Sequence, residues 1–572
     1  MIDPAAFAGA GIALGPPQPL IDGNLFSTAA PTVEQDCLVW AAADRRFILE
    51  IAQGDVLELR CRIEGHGPPL SSIGLRFSAI AGVGSYLRNG YQSWDGSFFA
   101  APGTPAGDGP PAKAPTLGFA VTALLPAAGD GALVLGFTRH DRFQSRFSFA
   151  GTAAAFAFDV ETLLDLVPGA AAGEPLVLFT ADQAEAGLRQ WSQLVAAASP
   201  LPPRIPARRL TGWCSWYNHY AMITPARLRT ELAGAAAFRD AHQIPLDIFL
   251  IDDGFTPEMG DWLDFKPDFP DGIAPLVHDI AAAGFTPGLW IAPFMVGNRS
   301  KLYAEHPDWV VQDVAGGPLV QYRFYGEFRW HKRSEEYYIL DITHPDAAAY
   351  IAQVFRTWRG WGAGYFKTDF MLFGSEHGPD RAVWHRPGRS RVAIWRKMAQ
   401  IIRAEIGDAL WLGCGCPLWA SVGFVDAVRI GRDLGVTWYG EYSAESLLRD
   451  LATRNHANGL LWQADPDCLL LRDRFHELND NQIESLARYG AACGGVLMTS
   501  DTLSELSPQR GALFAELLNS SPTPCTFPML GRDHGPIIEY RLEGRDRIFN
   551  LSNRTVPAGG MAIAPYATAT LP

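Results

Sequence analysis

The chain has 572 residues, a formal net charge of −14 at pH 7 and a 48% share of hydrophobic residues. This length predicts a large central domain with one or two smaller ones, and the negative charge argues against nucleic acid or an anionic membrane as the main partner. The N-terminus lacks a basic segment followed by an apolar core, and no apolar run reaches spanning length, so we expect a cytoplasmic protein.

Short apolar runs separated by Gly, Pro and Asp turns fill the chain up to about residue 200. This pattern predicts an antiparallel β-sandwich, and we place the N-terminal domain at residues 1–203. Within it, the segment 88–95 joins an Asn-Gly turn signal to amide and aromatic side chains. The local pattern alone favours a hairpin whose Trp94 caps the sandwich. A helix is expected from Gln183 to Ala198, followed by a Pro-rich linker.

From residue 210 strand-like segments alternate with longer amphipathic ones, which favours a parallel sheet or barrel. The eight segments are the number that closes a (β/α)8 TIM barrel, which we place at residues 204–508. They are Leu210–Trp216, Asp247–Asp252, Thr286–Ala292, Gly364–Asp369, Leu410–Cys414, Ala427–Gly431, Gly459–Ala464 and Gly495–Thr499. The rest, residues 509–572, predicts a small C-terminal β-domain with no assigned function.

Polar residues follow strand after strand of this predicted barrel, at the end where such barrels carry their chemistry. They include Tyr217, Asp252, Asp253, Trp290, Lys367, Asp369, Cys414, Arg429, Asp433, Asp465, Asp467 and Asp501. The insertion from about residue 297 to 338 is expected to form an elaborated loop over the same mouth.

Asp369 is the central candidate because Lys367 shares its strand face. Taken alone, this pair is equally consistent with a core ion pair and with catalysis. Two carboxylates across a barrel mouth can divide glycoside hydrolysis between a nucleophile and an acid, and Asp369 suits the first role. For the acid, alternation places Arg429, Gly431 and Asp433 on one face, with Gly431 leaving room for a ligand.

Asp252 and Asp253 form a second acidic cluster, which could chelate a metal or accept hydrogen bonds from vicinal sugar hydroxyls. We favour the sugar because the sequence has no metal-ligand spacing, and the eight cysteines show no zinc-type pattern and are expected to be mostly reduced. Two other nucleophiles are weaker: Cys214 or Ser215 with His219 lacks an orienting acid, and a Schiff base on Lys367 lacks a phosphate-binding loop.

Several motifs, in this order, resemble glycoside hydrolase family 36, the α-galactosidases. They are the segment 89–94 (NGYQSW), 212–217 (GWCSWY), 250–254 (LIDDG), 288–293 (GLWIAP), 340–345 (LDITHP), 366–369 (FKTD) and 465–470 (DPDCLL). The resemblance implies an N-terminal β-supersandwich, a TIM barrel, a C-terminal β-domain, retaining hydrolysis of terminal α-D-galactosides and no metal or other cofactor.

Residue by residue, the resemblance makes Asp369 the nucleophile and Asp433 the acid/base. It makes Asp252 and Asp253 the partners of the O4 and O6 hydroxyls of galactose, and it assigns further sugar contacts to Lys367, Arg429, Trp290, Cys414, Tyr217 and Trp94. In this scheme Trp94 is an aromatic lid on the barrel, which reverses the interpretation from local pattern.

Two departures bear on specificity. Thr368 stands where many relatives have Trp, and Cys414-Gly415-Cys416 stands where many have a Gly- and Arg-containing loop near the sugar's 2-substituent. The sequence therefore predicts an exo-acting α-galactosidase for melibiose- or raffinose-type oligosaccharides, with an α-N-acetylgalactosaminidase or a transglycosylase as alternatives at the same site. From another class, a non-catalytic carbohydrate-binding protein remains open, as does a monomer or a homo-oligomer.

Overall fold

The computed structural model describes residues 7–105, 114–323, 332–440, 443–474, 476–532 and 535–571. Part of the predicted insertion at 297–338 lies outside these ranges. Among the helices described, none is both long and apolar enough to cross a membrane.

Two antiparallel sheets form the N-terminal part of the chain. Phenylalanines of one sheet, such as Phe77 and Phe158, share a buried cluster with Leu49 and Leu133 of the other, so the sheets pack face to face. The nine-stranded sheet contains Thr32–Glu34, Cys37–Ala42, Arg45–Gln53, Leu57–Glu64, Val83–Arg88, Phe98–Ala100, Val121–Pro126, Ala132–Phe137 and Leu176–Ala181; the six-stranded sheet contains Gln18–Ile21, Asn24–Leu25, Ser72–Ile80, Leu117–Phe119, Gln144–Thr152 and Ala155–Leu163. A short ribbon pairs Ala8–Gly9 with Ile12–Ala13.

A parallel sheet of nine segments forms the centre of the molecule. Its two end segments are consecutive pieces of one strand: Gln463–Asp465 pairs with the sixth strand, and Cys468–Leu469 pairs with the eighth. The eighth strand also pairs with the first, so eight strands close into a barrel. The remaining strands are Thr211–Cys214, Ile248–Ile251, Thr286–Ile291, Tyr365–Thr368, Leu410–Gly413, Ala427–Arg429 and Leu497–Thr499.

All eight predicted strands are present, although the seventh begins later than expected. Residues 455–457 form a 3-10 turn and Gly459 has a φ of 72°, so the chain enters this strand only at Gln463.

Helices cover the outside of the barrel after most strands. They are Pro225–His242, Ala274–Ala282, Pro345–Gly360, Arg391–Ile406, Ala444–Arg454, Asp480–Ala492 and Pro508–Leu518, with shorter helices at Trp216–His219 and Lys301–Glu305. Between the fifth and sixth strands the chain forms only the 3-10 turn Trp419–Ser421. There the ring of Trp419 packs edge-on against Trp191 of the N-terminal helix Ala184–Ala198, at 4.8 Å between centroids.

Small antiparallel elements complete the fold. In the loops of the barrel, Met295–Gly297, Val320–Arg323 and Glu336–Ile339 form one sheet, and Gln312–Asp313 pairs with Ala382–Val383. At the C-terminus the strands are Ile537–Leu542, Arg545–Asn550 and Thr568–Thr570, beside the pair Val556–Ala558 and Met561–Ile563. The predicted multidomain fold class is confirmed.

Candidate active site

Asp369 follows the fourth barrel strand and is held from two sides. The indole Nε1–H of Trp290, on the third strand, donates to its Oδ2 at 3.1 Å. The backbone N–H of Phe370 donates to Oδ1 at 2.8 Å, and Phe370 has a left-handed φ of 52°. A bulky residue at positive φ is strained, and such strain is concentrated at functional sites. These two donors fix the orientation of the Asp369 carboxylate.

Lys367 extends from the same strand toward Asp252 at the end of the second strand. Its Nζ donates to Asp252 Oδ2 at 2.8 Å, and both side chains are buried. Burial is the largest influence and would lower the pKa of Lys367, but Asp252 and the nearby Cys214 and Cys414 side chains together hold that pKa well above its ordinary value. In the described part of the chain the ion pair of Lys367 is with Asp252, whereas the core ion pair considered from the sequence was with Asp369.

Asp253 is held by Lys332, which the sequence analysis did not single out. Lys332 Nζ lies 3.2 Å from Asp253 Oδ1 and donates to the carbonyl of Thr256 at 2.7 Å. The second oxygen of Asp253, Oδ2, is buried and has no hydrogen-bond partner among the described residues. A buried carboxylate oxygen left open is suited to accept a ligand hydroxyl. Lys332 lies far from any strand of the barrel in sequence, so alternation gave no signal for it.

Arg429 ends the sixth strand and contacts three carboxylates. Its guanidinium reaches Asp433 Oδ1 at 3.1 Å, Asp465 Oδ2 at 3.2 Å and Asp467 Oδ1 at 2.8 Å. Arg429, Asp465 and Asp467 are buried, whereas 43% of the Asp433 side chain is exposed. Asp433 is therefore the carboxylate of this cluster that solvent or a substrate can reach.

The pKa of Asp433 is raised to about 6. Loss of hydration among the enclosing protein atoms is the largest cause; Arg429 opposes it, and the negative charges of Asp467 and Asp369 add to it. Asp369 is thus close enough to Asp433 for its charge to be felt there. A carboxyl with a pKa near neutrality is suited to general acid catalysis.

Tyr217 lies behind this cluster. Its hydroxyl donates to Asp467 Oδ2 and also accepts the backbone N–H of Leu434 at 3.1 Å. Asp467 accepts the same N–H at 2.8 Å, and its own backbone has a φ of 77°. Tyr217 is buried, so its hydroxyl supports the turn that carries Asp433.

Trp94 reaches the barrel from the N-terminal sandwich. Its ring packs edge-on against Phe370, with centroids 5.0 Å apart, and lies so close to Gly415 that a Cβ there would be 2.7 Å from Trp94 Cη2. Its Nε1–H is buried without a hydrogen-bond partner in the described part of the chain. Trp94 therefore packs against Phe370 and Gly415, which directly follow Asp369 and the buried Cys414 in the chain.

The segment around Trp94 is a hairpin loop, as local pattern indicated, but Asn89-Gly90 does not form its turn. The flanking strands pair Arg88 with Phe98, which leaves residues 89–97 as a long loop. Asn89 instead donates through its side-chain amide to the carbonyl of Phe119 at 2.9 Å, and Gly90 is not in the left-handed region that an Asn-Gly turn requires.

The expectation that Gly431 leaves room for a ligand is wrong. The sixth strand ends at Arg429, and a Cβ on Gly431 would meet Leu447 Cδ1 at 2.5 Å. The missing side chain makes room for the helix Ala444–Arg454, and a bend after the strand brings Asp433 to the mouth.

Other predicted features have clear positions. Thr368 Oγ1 accepts the indole N–H of Trp411 at 2.7 Å, on the strand face opposite Lys367 and Asp369. All eight cysteines are free. In the described ranges, no group of three or more His, Cys, Asp or Glu side chains is arranged to hold a metal ion.

Comparison with known proteins places this site in context. The model of the melibiase family matches residues 231–370, which include the ends of the second, third and fourth strands. Asp252, Asp253, Trp290, Lys367 and Asp369 all lie inside this match.

Residues 231–370 match the melibiase family.

Curated relatives are α-galactosidases. The chain is 27% identical over 240 residues to a probable α-galactosidase C of Aspergillus flavus, covering 38% of this chain and 27% of the relative. It is 25% identical over 165 residues to an α-galactosidase of Escherichia coli, covering 27% of this chain and 20% of the relative. The matched segments thus span about a quarter of these relatives' lengths or less.

Solved structures extend the likeness to the whole fold. An α-galactosidase of Thermus thermophilus, in complex with p-nitrophenyl α-D-galactopyranoside, has a TM-score of 0.67 at 23% identity and covers 89% of this chain and 98% of its own. The family 36 α-galactosidase AgaA of Geobacillus stearothermophilus has a TM-score of 0.62 at 14% identity and covers 96% and 80%. These structures share the fold that the resemblance to glycoside hydrolase family 36 implied.

Proposed function

We propose that the protein is a retaining, exo-acting α-galactosidase that hydrolyses terminal α-D-galactosyl residues of small oligosaccharides such as melibiose or raffinose. The relatives' names and the bound p-nitrophenyl α-galactoside in the Thermus structure support the substrate class. The observation that carries the proposal is the contrast between two carboxylates: Asp369 is buried and accepts two N–H donors, whereas Asp433 is partly exposed beside Arg429. The pKa of Asp433, raised to about 6, supports this division of roles.

In the first step, Asp369 attacks the anomeric carbon while Asp433 donates its proton to the glycosidic oxygen. The bond to the leaving sugar breaks, and a β-linked galactosyl ester forms on Asp369. In the second step, Asp433 takes a proton from a water molecule as the water oxygen attacks the same carbon. The ester bond to Asp369 breaks, the Asp369 carboxylate is restored, and α-galactose is released. The two inversions together retain the anomeric configuration.

The electrostatics support this change of role. The charge of Asp369 raises the pKa of Asp433 in the free enzyme. Once Asp369 is esterified it is neutral, so this contribution is lost and the pKa of Asp433 falls. Asp433 is then a carboxylate when a base is needed.

Sugar binding is assigned to the acidic end of the second strand. The open Oδ2 of Asp253 suits one galactose hydroxyl, and Asp252 with Lys367 provides an acceptor and a donor beside it. Trp290 and Trp94 supply aromatic surface for the C–H faces of the ring.

The test is a panel of aryl α-glycosides, including the α-galactoside, the α-N-acetylgalactosaminide and the α-glucoside, with wild type and Asp369→Gly. We expect hydrolysis of the α-galactoside by wild type and loss of at least about 1,000-fold in Asp369→Gly. Azide should partly rescue the variant and yield β-galactosyl azide.

Full activity of Asp369→Gly would refute the nucleophile. A faster rate on the N-acetylgalactosaminide would replace the substrate, and accumulation of oligosaccharide in place of galactose at high donor concentration would indicate transglycosylation. Binding of galactose without hydrolysis of any substrate would leave only a carbohydrate-binding protein.

A further inference from the structure

The hairpin loop that carries Trp94, residues 89–97, together with Arg88 at the end of the preceding strand, is called the lid segment. Inside it, Arg88 and Asp95 form a fully buried ion pair at 2.7 Å, and Asp95 Oδ2 accepts the N–H of Tyr91 at 2.9 Å. The lid segment is therefore held in a defined conformation by its own internal contacts.

One side of the lid segment is joined to the loop after the fifth barrel strand. Ser93 donates its N–H to the carbonyl of Cys416 at 3.1 Å, and its Oγ accepts the N–H of Cys416 at 3.0 Å. Leu418 donates to the carbonyl of Tyr91 at 3.0 Å. These bonds hold the lid segment against Gly415, beside Asp369.

The other side depends on Arg454, the last residue of the helix Ala444–Arg454, which is buried. All five N–H groups of its guanidinium are used in hydrogen bonds. The acceptors are the carbonyls of Gln92 at 3.3 Å, Ser93 at 2.8 Å, Asp95 at 2.6 Å and Ile430 at 2.6 Å, and the Oγ of Ser97 at 2.9 Å.

The Ile430 contact gives Arg454 a second role. Ile430 directly follows Arg429 and begins the bend that leads to Asp433. Arg432, next to Asp433, donates its Nε–H to the carbonyl of Trp94 at 3.1 Å. The peptide that carries the aromatic lid and the bend that carries the acid are thus joined twice, by two different arginines.

Stability alone does not account for this arrangement. Burial lowers the pKa of Arg454, although Asp450 and Asp95 oppose the effect, which means that enclosing the charge is costly. Well-packed apolar residues would fill such a space at least as stably. Gly90 is also constrained, because a Cβ there would be 1.5 Å from the carbonyl oxygen of Asp95 and 2.3 Å from Arg454 Nη2. What the guanidinium adds is fixed geometry between two loops.

We propose that Arg454 and Arg432 are positioning residues that couple the lid Trp94 to the acid/base Asp433. Neither is assigned a contact with the reacting atoms. The proposal rests on the proposed function, and it means that closure of the lid and placement of the acid are one event: a displaced lid segment carries the Asp433 bend with it.

The experiment compares two substrates that differ in their need for the acid. Melibiose has a sugar as leaving group and requires protonation, whereas p-nitrophenyl α-D-galactopyranoside has a leaving group that departs with little help. The ratio of the two kcat/KM values does not depend on the fraction of folded enzyme, so simple destabilisation leaves the ratio unchanged.

Arg454→Lys keeps the charge but has only three donors at one atom, so it cannot reproduce the five bonds. We expect kcat/KM on melibiose to fall about 10-fold more than on the aryl galactoside, with a raised KM for melibiose. Arg432→Gln, at a half-buried position, should shift the ratio of the two kcat/KM values in the same direction by about 3-fold. It is the variant that tests the coupling if Arg454→Lys does not fold. The matched control is Arg449→Lys in the same helix, whose side chain pairs with Glu445 at the surface.

An unchanged ratio in a folded Arg454→Lys, or in Arg432→Gln when Arg454→Lys does not fold, refutes the coupling, as does an equal shift in Arg449→Lys. If wild type cleaves neither substrate, the proposed function is refuted, and the coupling, which depends on it, is refuted as well.

Discussion

The aspartates at the mouth of the barrel differ in their hydrogen-bond partners and in their exposure to solvent. Asp369 and Asp433 are both aspartates near the same cleft, yet one accepts two N–H groups and the other faces Arg429 with nearly half of its side chain exposed. Chemistry at this scale is decided by neighbours from other strands, which explains why residue type alone could not assign the two roles.

The pKa of Asp433 leads to a prediction on pH. In the proposed mechanism the protonated form of Asp433 is required for attack on substrates with poor leaving groups, and its pKa is about 6 without substrate. We expect kcat/KM on melibiose to fall about tenfold per pH unit as the pH rises above about 6. The measurement is the pH profile of kcat/KM from pH 4 to 9.

Asp433→Asn provides the control for that profile, because its amide does not titrate. The fall above about pH 6 should disappear in this variant at a much lower overall rate. Persistence of the same fall in Asp433→Asn would show that another group causes it.

Thr368 shows how a departure from relatives is accommodated. The sequence marked it as unusual, and the structure explains it by a contact: its hydroxyl accepts the indole N–H of Trp411 on the neighbouring strand. The aromatic ring that fills this region comes from the fifth strand. Thr368 lies on the face opposite Asp369, so its side chain takes part in the packing around the barrel and not in the contacts of Asp369.

Among the elements, strands were the most predictable part of the molecule. Buried parallel strands are short apolar runs bounded by turns, and this signal found all eight. Polar residues at their C-terminal ends then gave most of the site. Contacts between loops leave no periodic pattern in the sequence, so the roles of Lys332 and Arg454 were not predicted. For the same reason Asn89, whose side-chain amide is buried, was interpreted as part of a turn.

Gly431 was misinterpreted for a related reason. A glycine beside two charged residues is compatible with ligand access, but helix packing cannot be read from a local pattern. The closest neighbour of a Cβ at this position is Leu447 Cδ1 at 2.5 Å.

This packing gives a prediction at the level of the helix Ala444–Arg454. Gly431→Ala should push Leu447 and its helix outward and reduce the free energy of unfolding by about 1–3 kcal/mol, since overpacking forces side chains off their preferred rotamers. Thermal and urea unfolding measure the effect. The double variant Gly431→Ala/Leu447→Ala should lose less than the sum of the two single changes.

Gly360→Ala is the matched control, because a Cβ on Gly360 meets no atom within 4 Å at the end of its helix. It should be neutral or slightly stabilising. Equal destabilisation by both alanines would contradict the packing argument.

At the scale of the whole molecule, aromatic and imidazole rings join the N-terminal helix Ala184–Ala198 to the barrel. Trp191 lies against Trp419, and the His456 ring is stacked on Trp419 with centroids 6.2 Å apart. Ser192 Oγ lies 2.8 Å from His456 Nδ1. The sequence predicted the parts on both sides of this junction, while the limits of the domains at 203 and 508 remain predictions.

Buried histidines at this junction predict a pH-dependent stability. Burial lowers the pKa of His456 to about 3 and that of His140 to about 4. The unfolded chain therefore binds more protons below about pH 6.5, so stability is highest above that pH and decreases as the pH falls toward 4. Glu185, whose pKa is raised to about 7 by burial, contributes the opposite slope between about 4.5 and 7.

The difference between variants isolates one histidine. His456→Asn retains a polar atom for Ser192 and does not titrate, so its apparent Tm should fall less than that of wild type between pH 7.5 and 5. His278→Asn changes an exposed histidine and should follow wild type. A wild-type slope in His456→Asn would show that protonation of this ring is not coupled to folding.

The hydrogen bonds between Arg454 and the lid segment can form only after both parts of the chain have been translated. Ser93 and Arg454 are 361 positions apart in the chain, so the lid segment leaves the ribosome long before its partner exists. At about 5–20 residues per second, translation of that interval takes on the order of 20–70 seconds. During this time the nascent chain lacks Arg454, so one side of the lid segment has no partner. Under the proposed function, activity therefore begins only late in translation, when residue 454 has emerged and the earlier and later parts of the polypeptide meet.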